Sequence, residues 1–321
     1  LGTVVILDSN NDSANLYFQF ASFLYPDTAF AFNLETNDLK PFRETKGLDF
    51  DTSLYETTQH FYTSKDGTKV PVFLTHKKGL KKDGLNPTIL YGYGGFNISQ
   101  TPFFKVWNLT WIEMGGIFAL ANLRGGTEYG EEWHQQGMLD RKQNVFDDLH
   151  SGAEWLIEQG YTSTPKLAIE GRSNGGLLTA ACMLQRPDLY GAILSHVPVI
   201  DMLRYHKFTL GHYWIPEYGD AESNPEHFKF LYAYSPLHNV KKGVAYPPAI
   251  ITTADTDDRV VPSHSKKFAA VLQNDADHDN VVLLRVETRA GHGLGKPIHL
   301  QIEERADVWA FLVKELGMKL S

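Results

Sequence analysis

The sequence predicts an α/β fold: a mostly parallel, twisted sheet covered by helices, preceded by a short β segment. Three observations carry this. From about residue 48 onward, short apolar runs alternate with stretches of helical period, the pattern of strands joined by crossover helices. One strand–turn–helix unit places Gly171-Arg172-Ser173-Asn174-Gly175-Gly176 at its turn. Residues 1–47 differ, with aromatic strand signals broken by Asn, Asp, Ser and Pro.

Taken in order, residues 3–7, 14–20 and 29–33 read as strands. Phe18, Phe20, Phe23, Phe30 and Phe32 make this segment aromatic, and its strands are too few for an independent domain. Residues 59–63 and 70–75 flank Asp66-Gly67, a hairpin turn signal. Residues 88–91 form a strand that ends in Gly92-Tyr93-Gly94-Gly95, and 116–123 a longer one. Residues 145–158 are an amphipathic helix with Phe146, Leu149, Ala153 and Leu156 on one face. Strands follow at 167–170, 192–195, 248–254 and 281–286, with a helix at 263–273. A closing helix spans 298–316, with Ile302, Ala306, Trp309, Ala310, Leu312 and Val313 as its expected buried side. No internal repeat or low-complexity segment stands out. The expected division is 1–47 and 48–321.

Composition excludes several classes. The chain has 321 residues, 42% hydrophobic and 21% charged, ordinary for a globular protein with a large core. A net charge of −8 argues against nucleic acid as a partner. The single cysteine, Cys182, excludes an intrachain disulfide and points to a reducing, cytoplasmic compartment. It lies mid-helix among apolar residues and reads as buried. No run of 18 apolar residues indicates a membrane span. The first residues do not read as a signal peptide, and they lack a starting Met. The histidines form no metal-binding motif, and residues 255–266 lack the Gly and Glu of a calcium loop, so no metal and no cofactor is expected. Arg124-Gly125-Gly126 reads as a tight turn.

The chemistry centres on Ser173. Ser at the apex of G-x-S-x-G between strand and helix is the nucleophile-elbow pattern. The turn is strained, so Gly171 and Gly175 give room, and the helix N-terminus aims N–H groups at the reacting oxygen. A serine needs a base, and the base an orienting carboxylate. Downstream, the strand at 248–254 runs into Asp255-Thr256-Asp257-Asp258, and the strand at 281–286 leads to Arg289-Ala290-Gly291-His292-Gly293. Serine, one of these acids and His292 thus follow in the required order, each at a strand exit. Gly92–Gly95 can supply the second side of an oxyanion hole.

These residues resemble the prolyl oligopeptidase family, serine peptidases of the α/β-hydrolase fold. The resemblance runs through Leu90-Tyr91-Gly92-Tyr93-Gly94-Gly95-Phe96-Asn97, Asn122-Leu123-Arg124-Gly125-Gly126-Thr127, Ser173-Asn174-Gly175-Gly176, Tyr234-Ser235-Pro236-Leu237-His238, Asp257-Asp258-Arg259-Val260-Val261-Pro262 and Ala290-Gly291-His292-Gly293. It covers nearly everything after residue 48. It implies Ser173 as nucleophile, His292 as base and Asp257 as triad acid. It implies the Asn174 N–H and the Tyr93 hydroxyl as oxyanion hole, and Arg259 as holder of a substrate carbonyl. Trp214 would stack on a proline ring, with Phe96, Val199, Tyr218 and Val260 lining the pocket; an aromatic slot selects an apolar ring without charge. The implied activity is hydrolysis of short peptides after proline. Family members also carry a seven-bladed β-propeller and an N-terminal segment. Residues 1–47 resemble the end of the last blade, so a complementing propeller segment is an expected partner.

Other readings remain open. A basic-residue-specific oligopeptidase would want carboxylates in the pocket, and Glu217 keeps it alive. An acyl-peptide hydrolase or esterase, and a macrocyclase resolving the acyl-enzyme with an amine, use the same constellation. A binding protein on an inactive hydrolase fold is the alternative from another class.

Overall fold

The computed structural model describes residues 1–10, 12–44, 50–277, 279, 281–288, 290–293 and 295–319. The expected boundary at 47/48 and Arg289 lie outside the described residues. By packing, the chain divides into two units. One holds Leu1–His60, Phe73–Lys81 and Thr101–Phe118; the other holds Phe61–Val72, Lys82–Gln100 and Ala119–Ser321.

In the first unit, β1 (Thr3–Ser9), β2 (Asn15–Ala21), β3 (Thr28–Asn33) and β4 (Leu39–Arg43) form an antiparallel meander in chain order. β4 was not expected, because Pro41 sits inside it. A proline is tolerated here since β4 is an edge strand. The aromatic residues pack across strands: Phe18 stacks on Phe30 at 5.6 Å, and Phe23 meets Phe73 and Phe118 at 5.8 and 5.9 Å.

The main sheet has the order β12-β11-β10-β9-β7-β8-β6-β5. Its strands are β5 (Tyr55–Thr63), β6 (Lys69–Lys77), β7 (Thr88–Tyr91), β8 (Ile117–Ala121), β9 (Leu167–Arg172), β10 (Ala192–His196), β11 (Ala249–Ala254) and β12 (Val282–Glu287). The run β7-β9-β10-β11-β12 is parallel throughout. Strands covered on both faces read as continuous apolar runs, and every residue of β10 and β11 is buried. The helices are α1 (Val106–Glu113), α2 (Glu131–Gln135), α3 (Gln143–Glu158), α4 (Asn174–Gln185), α5 (Ile215–Tyr218), α6 (Pro225–Tyr234), α7 (Pro236–Asn239), α8 (Ser263–Asp275) and α9 (Ile298–Glu315). Among the described residues, no helix is long and apolar enough to cross a membrane. Cys182 is buried in α4.

One expectation is corrected and one extended. In α9 the buried side is Leu300, Val308, Phe311 and Leu312, while Ile302 is 62% exposed. Glu304 and Arg305 also lie against the protein, where they pair with Lys296 and with Glu170. Leu312 is buried as expected, but Ala306 and Ala310 are exposed, because the inward face is partly ionic and apolarity alone does not mark it. Arg124-Gly125-Gly126 is a turn, with Gly125 at φ +92°, but Arg124 does more. Its guanidinium is 1% exposed and grips Asp148 of α3 through Nη2 at 2.6 Å and Nε at 3.0 Å. It also donates to Asp66 and Ser64 in the turn ahead of β6. A buried cation is held only where several acceptors surround it.

Candidate active site

Four loops leave the carboxyl ends of the parallel strands β7, β9, β11 and β12. These carry Tyr93, Ser173, Asp257 and His292, so one edge of the sheet gathers groups far apart in sequence.

Ser173 occupies the turn between β9 and α4 with φ +59° and ψ −113°, a left-handed backbone unfavourable for a residue with a Cβ. Its N–H is held by the carbonyl of His196 at 2.8 Å, and its carbonyl accepts from Gly176 and Leu177. The glycines are required by contact. A Cβ on Gly171 would lie 2.1 Å from the Gly175 carbonyl oxygen, and one on Gly175 would lie 2.7 Å from that of Gly92. The strained serine thus sits at the N-terminus of a 12-residue helix, where the first N–H groups lack intrahelical acceptors.

His292 donates from Nδ1 to Asp257 Oδ2 at 2.7 Å. The other oxygen of Asp257 accepts the N–H groups of Arg259 at 3.0 Å and Val260 at 2.9 Å. The Asp257 side chain is fully buried, whereas Asp255 and Asp258 are exposed, and Asp255 pairs with Lys266. Of the three acids, it is Asp257 that meets the histidine. Its orientation leaves Nε2 of His292 as the acceptor nitrogen, the tautomer a base needs.

Tyr93 follows β7. Its carbonyl accepts from the Asn174 side chain at 2.6 Å, and Asn174 in turn accepts from the Tyr218 hydroxyl at 2.9 Å. Burial, reinforced by Glu217 and opposed by Arg259, pushes the Tyr93 phenol up to about 12. Near neutral pH it is therefore a protonated donor.

The aromatic residues named from the sequence fall into one cluster. Phe96 meets Tyr218 edge-on at 5.3 Å, Tyr218 meets Tyr205 at 5.3 Å, and Tyr205 stacks on Trp214 at 6.3 Å and 9°. Tyr218, Val199 and Val260 are buried, Phe96 and Trp214 half-buried, and Arg259 exposed.

Sequence reasoning missed the group beneath this cluster. Glu217 is buried, accepting the Phe96 N–H at 2.9 Å and facing His134 Nε2 at 2.8 Å. Lys142 lies 3.9 Å from Glu217 and donates to the Gly94 carbonyl at 2.7 Å. Burial pushes the Lys142 ammonium down to about 8, with Glu217 opposing. Together these three residues hold the loop that presents Tyr93 and Phe96. No local sequence signal marks Lys142 or His134, since neither lies in a recognisable motif.

Comparison with known proteins places the whole chain. Residues 102–319 match the prolyl oligopeptidase family. Prolyl endopeptidases from Elizabethkingia meningoseptica and Elizabethkingia miricola are 48% identical over 305 and 318 residues. Those matches cover 95% and 99% of this chain but 43% and 45% of the relatives, so the chain spans about half their length. A solved prolyl endopeptidase superposes with a TM-score of 0.95 at 47% identity, covering 99% of this chain and 47% of that one. Prolyl oligopeptidase B from Galerina marginata, solved with a 35mer hydrolysis and macrocyclization substrate, gives 0.94 at 38% identity, covering 100% and 46%. With its family match spanning most of the sequence and near-half identity along almost all of it, this chain belongs to the prolyl oligopeptidase family and has its α/β-hydrolase fold.

Proposed function

We propose that this chain is the catalytic part of a serine endopeptidase that cleaves short peptides on the C-terminal side of proline. Ser173 Oγ attacks the carbonyl as His292 takes its proton, and His292 returns that proton to the leaving amine. Asp257 holds the imidazole ring in place. The Asn174 N–H and Tyr93 hydroxyl stabilise the oxyanion, and water then clears the acyl-enzyme. Arg259 holds a backbone carbonyl of the peptide. Trp214 stacks on the proline ring, with Phe96, Val199, Tyr218 and Val260 around it. The observation that carries this reading is the 2.7 Å pairing of His292 with buried Asp257, on the same sheet edge as a strained serine at a helix N-terminus.

The test is hydrolysis of a blocked Gly-Pro amide reporter by the protein and by its Ser173→Ala variant. Cleavage is expected, with kcat falling by about 10⁴-fold or more in the variant. A folded protein whose serine resists a fluorophosphonate probe would instead favour the binding-protein reading. Trp214→Ala is expected to raise KM for the proline reporter by about 10-fold, the size of a lost aromatic contact, while leaving probe labelling intact. An Arg reporter distinguishes the basic-specific alternative, against which the engagement of Glu217 already counts. Cyclic product in place of linear would reveal amine capture of the acyl-enzyme.

Residues 1–47 are further proposed as the end of a propeller blade and 48–321 as the catalytic domain, with the remaining propeller as partner. A cytoplasmic location is proposed from the lone, buried Cys182. Cell fractionation tests it; recovery with secreted material would overturn it.

A further inference from the structure

Arg172, the residue before Ser173, has no part in the chemistry described above. It ends β9, half-buried, and its Nη2 donates to the backbone carbonyl of His292. The neighbour of His292 is shaped around this contact. Gly293 has φ +116°, and a Cβ there would lie 2.3 Å from Arg172 Nη2. Described residues on either side of His292 are also held. Thr256 Oγ1 donates to the Ala290 carbonyl at 2.9 Å, and Lys296 pairs with Glu287 at 3.6 Å and with Glu304. Arg305 of α9 reaches back to Glu170 of β9 at 2.8 Å.

A histidine flanked by Gly291 and Gly293 has a backbone with wide conformational freedom. The Asp257 carboxylate restrains the ring, but rotation about the backbone would still swing the imidazole. A guanidinium, charged at any working pH and rigid, supplies a second restraint at the carbonyl. Because Arg172 adjoins Ser173, that restraint ties the histidine backbone to the strand end that bears the serine.

We propose that Arg172 is a positioning residue that fixes the His292 backbone relative to Ser173, completing the alignment of base and nucleophile. This rests on reading Ser173, Asp257 and His292 as one catalytic unit. It does not depend on specificity for proline.

The test compares Arg172→Met, which removes the donor at similar length, with Arg172→Lys, which keeps a cation and a donor, in the full protein. Arg172→Met is expected to lower kcat by about 10- to 100-fold with KM little changed, the scale of a misplaced catalytic group. Labelling of Ser173 by a fluorophosphonate should slow by a similar factor. The downfield NMR signal of the proton shared by His292 and Asp257 should broaden or vanish. Arg172→Lys should recover much of each. Wild-type labelling rates and an intact downfield signal in folded Arg172→Met would overturn the proposal. A wild-type protein that is labelled but does not cleave the proline reporter would defeat the proposed specificity instead, and the labelling comparison would still decide the role of Arg172.

Discussion

Glu217 illustrates what a residue type alone does not disclose. One position before Tyr218, it is a plausible partner for a basic substrate side chain. In the fold both its oxygens are engaged, with the Phe96 N–H and with His134, and Lys142 lies beside it. Its work is to hold the loop bearing Tyr93 and Phe96. Glu217→Gln is therefore expected to lower kcat/KM for the proline reporter by about 10-fold, the order of one charge-assisted hydrogen bond. The ratio of proline to arginine cleavage should stay the same. A large change in that ratio would show that Glu217 faces the substrate after all. Asp257 is the opposite case. Its place before Arg259 marks it by resemblance, and in the fold it is buried against His292.

At the scale of elements, the elbow was legible because its constraints are local. Strand, glycine-flanked turn and helix follow one another in sequence, and the close approach of Gly171 to Gly175 spans one turn. Gly171→Ala is expected to abolish probe labelling of Ser173 even in the fraction that folds, because the 2.1 Å contact is with backbone and cannot be relieved by a side-chain rotation. Helix α8 gives a dependence on pH. His264 Nδ1 accepts the N–H groups of Ile200 at 3.2 Å and Asp201 at 3.0 Å, just past Val199. Burial pushes its imidazole down to about 4, with Asp201 opposing and Lys267 assisting. The unfolded histidine takes up a proton below about 6.5, the folded one only below about 4. The unfolded state binds more protons in that window, so stability falls as pH falls through it, by on the order of 3 kcal/mol in all. Above the window the full stability is present. His264→Asn, whose Oδ1 can accept the same N–H groups, should flatten this acid limb in denaturant midpoints measured from pH 7 to 4. An unchanged limb would assign the loss to other groups. The Arg124–Asp148 pair belongs to this scale as well. It joins α3, the loop after β8 and the turn ahead of β6, and Arg124→Met should cost about 3–5 kcal/mol by leaving Asp148 buried without its partner.

At the scale of the molecule, Val4, Val5, Ile6 and Leu7 of the edge strand β1 are 51–59% exposed. Exposed apolar residues on an edge strand fit the proposed propeller segment as a neighbour. The protein with its proposed propeller segment should bind less of a hydrophobic dye per molecule than this chain alone; equal binding would remove that segment as the cover. Sequence by itself determined the α/β class, the eight strands of the main sheet with helices α3, α4, α8 and α9, and the order of Ser173, an acid of residues 255–258 and His292, because periodicity, turn chemistry and motif spacing are written along the chain. The tertiary structure decided which partners the charges of Arg124, Lys142, Glu217 and Arg172 would find, and which face of α9 would turn inward. The physical reason is common to them. A charge leaves water only where acceptors or counter-charges surround it, and for these four residues the partners come from distant stretches of the chain.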